Sequence, residues 1–154
     1  MNTFTDDPDD MTISVDGEII KVDVCNVIPA MKAGKVTETA GLTVGNWAPV
    51  NAIDMSTKTD PDIYVLRDAS SQSDIPKSAY SANSQAKVCA NAIRGALINT
   101  KVFPAIFTNT CWSLTQTDDS VKVGATYEAT DEKISKVGRF ISKISEDEAT
   151  RKAN

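Results

Sequence analysis

The sequence predicts a mixed α/β chain, an α+β fragment in its arrangement, on three observations. Residues 12–24 alternate apolar and polar around an Asp-Gly pair, which is the pattern of a β-hairpin. Residues 79–99 repeat apolar positions at spacings of three and four, which is the pattern of a helix. Beyond Asn99 the alternation returns in several successive segments, which predicts an antiparallel β region.

Residues 1–11 are read as an exposed lead-in. In "TISVDGEIIKVDV", Ile13 and Val15 share one side, Asp16-Gly17 supplies the turn, and Ile20, Val22 and Val24 resume the period of two. An Asp-Gly pair accepts the positive φ of a tight primed turn. "CNVIPA" follows as a short apolar run stopped by Pro29. From Met31 to Gly45 the pattern is weak and includes three glycines, predicting a loop with one helical turn. "NWAPVN" reads as a short strand that Pro49 confines to an edge or a bend. In "DIYVLRD" the run Ile63, Tyr64, Val65, Leu66 is continuous, the signature of a strand buried on both faces. The helix over 79–99 carries Ala82, Ala86, Cys89, Ala90, Ile93, Ala96 and Leu97 on one face, with Ser78 as its N-cap. Small residues dominate that face and permit close packing on a sheet. "VFPAIFTNTCWSLTQ", "SVKVGATYEA" and "KISKVGRFISKI" then predict the antiparallel strands. Ser145 and Glu148 have the spacing of a capping box, and Glu146, Asp147 and Glu148 place negative charge at the start of a helix. That helix has only about two turns before Asn154, so the chain reads as a fragment.

The composition narrows the chemistry. Apolar residues at 41% and charged residues at 24% fit a globular chain, and 154 residues suffice for one core. The net charge of −5 comes with no Lys/Arg cluster, so no nucleic-acid partner is expected. No apolar run approaches the roughly 20 residues of a membrane span, and the acidic "MNTFTDDPDD" is no signal peptide. The chain has no His, which removes the commonest general base and the usual Ser/His and Cys/His pairs. Chemistry, if any, then belongs to a cofactor. Cys25, Cys89 and Cys111 are far apart and form neither a C-x-x-C nor a disulfide framework, and no metal site is expected. Cys25 and Cys89 are read as core. Cys111 by itself reads as a small buried hydrophobe, and Trp47, Trp112 and Phe140 read as packing residues.

One stretch holds a candidate site. A strand that ends in Asp68 sets a carboxylate where open α/β sheets bind ligands, and a helix N-terminus follows about ten residues later. Together they suit a nucleotide-type cofactor, the Asp accepting from a hydroxyl and the helix start facing electron-rich atoms. The alternative is that Asp68 caps the following loop.

The segments "NVIPAMKAGK", "AGL", "WAPVN", "YVLRDAS", "PKSAYSANSQAKVCA" and "NTCWSL" occur in this order. Together they resemble the C-terminal half of the flavoprotein subunit of flavocytochrome c sulfide dehydrogenase, a family related to sulfide:quinone reductases. The resemblance runs from about residue 12 to 145, and its last two segments are the most specific. It implies that residues 1–45 end a second nucleotide-binding domain. Residues 46–100 would then close the FAD-binding domain, and 101–154 would form a truncated interface region. It implies FAD as cofactor, with Asp68 on the ribitol and Ala69 following along the flavin. Pro76, Lys77, Ser78 and Ala79 would form the helix start that faces the pyrimidine side, with Tyr80 a candidate for the flavin edge. Cys111 would be one of two redox cysteines whose disulfide sulfide opens by exchange. Electrons would pass to a c-type cytochrome subunit in the periplasm.

The departures are specific. Arg67 and Ala79 stand where the family has Gly, no G-x-G-x-x-G occurs, and the second redox cysteine lies in the absent N-terminal half. That half is the expected partner, and the chain by itself is expected to be inactive. The competing readings are a non-catalytic remnant or docking module for the cytochrome, and a fragment of a quinone-linked reductase.

Overall fold

The computed structural model describes residues 4–117, 119–142 and 149. They fall in two compact units, Met1–Met31 and Lys32–Asn154, each described by itself.

The first unit is a three-stranded antiparallel sheet in the order β1 (Phe4–Asp7), β2 (Thr12–Val15), β3 (Glu18–Lys21). The hairpin forms where the alternation places it: Val15 pairs with Glu18 across Asp16 and Gly17, whose φ values of 51° and 90° make a primed turn. The expected lead-in is corrected, because Phe4–Asp7 pairs along β2 and covers an otherwise open edge. "FTDD" is too short and too polar to register as alternation. Cys25, expected in the core, is exposed, as are Val24 and Ile28 around it. Too few residues surround this sheet to cover its apolar side chains.

In the second unit the loop before Gly45 does contain one short helix, α1 (Lys35–Thr39). "NWAPVN" contributes β4 (Ala48–Pro49), which pairs in parallel with β5 (Ser70–Ser71). The strand expected at Ile63–Leu66 is corrected. That run makes one isolated bridge, Tyr64 to Ser56, and two backbone bonds to the same neighbour, Thr57 N–H to Ile63 O at 2.7 Å and Val65 N–H to Met55 O at 3.2 Å. A strand covered on both faces needs neighbours on both edges. Among the described residues only 55–57 run beside it. Tyr64, Val65 and Leu66 therefore lean on the core from one side, and Ile63 is exposed.

The long helix α2 spans Ala79–Ile98, capped by Ser78, whose hydroxyl accepts from Ser81 N–H, and closed by Asn99 in the left-handed conformation. Its inner face is rotated from the expected one. Ser81, Gln85, Cys89 and Gly95 are buried, while Ala86, Ala90, Ala96 and Leu97 face outward. After it, β6 (Ile106–Gln116), β7 (Asp119–Ala129) and β8 (Ile134–Ile141) form the expected antiparallel sheet in sequence order. Its near end packs on α2. Phe107, Ala125, Tyr127 and Ile134 join Val50, Met55, Ile75 and Cys89 in one core. At the far end, side chains such as Leu114 (80% exposed) and Ile141 (48%) are uncovered.

The overall character is thus mixed α and β, with antiparallel pairing dominant. The capping box and final helix read over residues 145–154 lie outside the described residues, apart from Ala149. Among the described residues no helix is long and apolar enough to cross a membrane, and no group of His, Cys, Asp or Glu could hold a metal.

Candidate functional site

Asp68 sits in a single 3-10 turn, Arg67–Ala69, rather than at the mouth of a strand. Arg67 enters that turn at φ 60°, in the left-handed region that favours glycine. Its N–H donates to Gln85 Oε1 at 2.7 Å, and Gln85 Nε2 donates to Gln72 Oε1 at 2.6 Å. Ser70 Oγ closes the turn by donating to Arg67 O at 2.8 Å. Gln85 and Ser70 are fully buried, so helix α2 holds the Asp68 turn through a dry polar brace.

Lys77 reinforces the brace. Its Nζ donates to the carbonyls of Asp68 (3.1 Å) and Ser70 (2.7 Å) and lies 3.9 Å over the Trp47 ring. Burial pushes the pKa of the Lys77 ammonium down, and the Asp68 charge opposes that. The carboxylate of Asp68 is split in its surroundings. Oδ2 lies 3.6 Å from Arg67 Nε, whereas Oδ1 is buried and accepts no hydrogen bond among the described residues. A buried acceptor without a donor is costly unless a partner completes it. The sequence-based residues Asp68, Ala69 and Lys77 are therefore brought together as one braced loop.

Pro76, Ser78 and Ala79 lead into α2. The first intrahelical bond is from Ala82 N–H to Ser78 O, which leaves the N–H groups of Ala79 and Tyr80 ahead of the helical ladder. Tyr80 stacks at 6.1 Å, tilted, on Trp112, and both rings are about half exposed. Trp112 is thus a surface residue rather than the packing residue expected.

Cys111 is exposed, not core. It lies on β6 two residues after Asn109, and side chains two apart share a sheet face. Asn109 Nδ2 donates to Cys111 Sγ at 3.6 Å. Its Oδ1 accepts from Ser81 Oγ at 2.9 Å and from Ser78 Oγ. The cysteine is thereby tied to the start of α2. Cys111, Asn109, Pro76, Tyr127, Lys136 and Arg139 line a concavity of about 270 Å³. Burial pushes the Tyr127 hydroxyl pKa up, with Asp74 and Cys111 adding to it.

Sequence reasoning missed Gln85 and Asn109. Both are polar residues inside strongly patterned segments. Gln85 stands four residues from Ser81 and four from Cys89, a spacing that marks one helix face. Asn109 is a polar residue two positions after buried Phe107 on the same face of β6.

Residues 104–154, the third of the chain that carries β6, β7, β8 and Cys111, match the family described as flavocytochrome c sulphide dehydrogenase, flavin-binding. That match bears out the resemblance to the flavoprotein subunit of flavocytochrome c sulfide dehydrogenase, a flavin-binding family with which FAD is the consistent cofactor.

Proposed function

We propose that this chain is the C-terminal part of an FAD-dependent oxidoreductase of the sulfide dehydrogenase type, supplying one wall of the flavin site and one redox cysteine. The observation that carries the proposal is that Asn109 joins Cys111 to the N-terminus of α2, the helix start assigned to the flavin. A second observation supports the fit of the cofactor. The buried Oδ1 of Asp68 lacks a donor among the described residues, and a ribitol hydroxyl is such a donor.

When bound, FAD supplies a two-electron acceptor. This chain's residues do the rest by placement. Asp68 binds and orients through its carboxylate, with Ala69 beside it. The peptide groups over Pro76–Ala79 present the positive end of α2 to developing negative charge. Cys111 offers its sulfur for exchange with a second cysteine contributed by the N-terminal half. Lys77 acts from behind, fixing the Asp68 loop by its two carbonyl contacts. A c-type cytochrome subunit as electron acceptor, and a periplasmic setting, go with this reading.

The alternative is a docking module for that cytochrome, and one observation favours it. The far end of the β6–β8 sheet leaves Trp112, Leu114, Phe140 and Ile141 exposed, an apolar area suited to a partner protein.

Co-expression with a polypeptide carrying the family's G-x-G-x-x-G half distinguishes the two. Flavin that stays with the complex through gel filtration is expected, with affinity about tenfold weaker in Asp68→Ala, the loss of one hydrogen bond to a charged acceptor. The chain by itself is expected not to oxidise sulfide when FAD is added. A colourless complex, or turnover by the isolated chain, overturns the proposal.

A further inference from the structure

We propose that Asn109 is the positioning residue of Cys111, tying its sulfur through the amide to the start of α2 and so setting its reactivity. The inference rests on the reading of Cys111 as the redox cysteine, and it adds the residue that sets that cysteine's reactivity.

Ser78 Oγ accepts from Ser81 N–H at 3.1 Å as the helix cap, and its own proton has two acceptors in reach, Asn109 Oδ1 at 2.5 Å and Ser81 Oγ at 3.1 Å, of which the amide oxygen is the nearer. Ser81 Oγ donates to the same oxygen at 2.9 Å. With two hydroxyl protons on Oδ1, the amide nitrogen turns the other way, and Nδ2 lies 3.6 Å from Cys111 Sγ. Asn109 is buried, at 7% exposure, while the sulfur it meets is exposed. The two serines stand at the N-terminus of a helix of 20 residues, where unpaired N–H groups concentrate positive potential. Hydroxyls and amide in series pass that polarity to the sulfur.

A donor on sulfur stabilises its charged form, and the thiolate is the species that attacks or leaves in exchange. The other groups lining the concavity act in the same sense. Lys136 and Arg139 come from β8 and Tyr127 from β7, Pro76 is neutral, and no Asp or Glu among the described residues lines it. Asp74, whose charge acts on Tyr127, is held by the Lys136 N–H and the Lys133 ammonium.

Alkylation of the full chain with iodoacetamide tests this without flavin. The rate at Cys111 is followed by peptide mass spectrometry from about pH 6 to 9.5, across the ordinary thiol range. Exposed Cys25 serves as reference in the same digest. In Asn109→Ala the reaction at Cys111 is expected to be about tenfold slower at neutral pH relative to Cys25. A purely structural Asn would leave the rate at Cys111 unchanged in a folded Asn109→Ala chain, and that outcome overturns the inference. Should Asn109→Ala fail to fold, Ser78→Ala takes its place, with a smaller loss of rate at Cys111 expected and an unchanged rate counting against the inference. Flavin uptake is a separate readout. An unmoved Cys111 profile removes this role for Asn109 and leaves the flavin reading standing, whereas absent flavin binding does the reverse.

Discussion

Arg67 occupies backbone that glycine adopts without strain. At φ 60° an L side chain crowds its own carbonyl, at a cost of roughly 1–2 kcal/mol. What holds Arg67 there is its N–H bond to buried Gln85, which fixes the turn whatever the side chain. The guanidinium gives little in return, because its contact with Asp68 joins side chains 54% and 48% exposed. Arg67→Gly is therefore expected to raise stability by about 1 kcal/mol, read as a higher urea midpoint with unchanged slope. A lower midpoint would mean that the Arg side chain holds the turn by contacts beyond that pair. The family resemblance places Gly at this position, and the geometry independently asks for one. The strain here belongs to the backbone turn, so a bulky residue is tolerated only because the brace beneath it is strong.

At the scale of the element, that brace is a property of α2, and it explains where sequence reasoning succeeded. The Asp16-Gly17 hairpin, the Ser78 cap and the three antiparallel strands were legible because each rests on local chemistry, a turn dihedral, a hydroxyl or an alternation. The inner face of α2 was not. Apolar periodicity selected Ala86, Ala90 and Leu97, yet the buried line is Ser81, Gln85, Cys89, because this helix packs on a loop and a sheet whose polar groups need partners. Cys89 was placed correctly from the same pattern, and burial raises the pKa of its thiol, with Asp54 adding to the effect. The run Ile63–Leu66 misled for the opposite reason: its composition suits a strand covered on two faces, and the described residues provide one neighbour. For the candidate site, the expected strand–loop–helix pattern pointed to Asp68 and the family resemblance to Pro76–Ala79, whereas Gln85 and Asn109 act through long-range bonds that no local pattern encodes. Gln85→Leu tests the brace. It keeps the volume but leaves the Arg67 N–H and Gln72 Oε1 without their partner, each worth about 1–3 kcal/mol when buried. A loss of about 3 kcal/mol is expected by urea unfolding, and a loss under about 1 kcal/mol would show that water replaces the amide.

Across the whole molecule, the absence of His and the surplus of carboxylates set how stability responds to pH. With no His among 154 residues, few groups change charge between about pH 5 and 8, and stability there is expected to be flat. Below that range the 21 Asp and Glu residues take up protons, and those bound in the fold resist. Asp74 is the clearest case. Its carboxylate receives the Lys136 N–H at 3.3 Å and the Lys133 ammonium at 3.3 Å, while its own N–H donates to Ile134 O, so it pins the loop before α2 to the start of β8. The Lys136 N–H first, and then the Lys133 contact, hold its pKa below the ordinary carboxylate value. A lowered folded pKa means that the unfolded chain binds the proton more readily. The contribution is thus present above the unfolded value of about 4 and lost as pH falls through the folded one. Asp74→Asn removes the titration. Its urea midpoint is expected below the parent's at pH 7, and the gap is expected to close as both are acidified toward about pH 3, where the parent's Asp74 is itself losing its charge. A gap that stays constant over that range would mean that Asp74 acts through hydrogen-bond geometry alone, since an amide and a protonated acid differ little in charge. The same loop carries Pro76 and Lys77 to the start of α2, so loosening it in acid is also expected to weaken whatever the Asp68 turn holds.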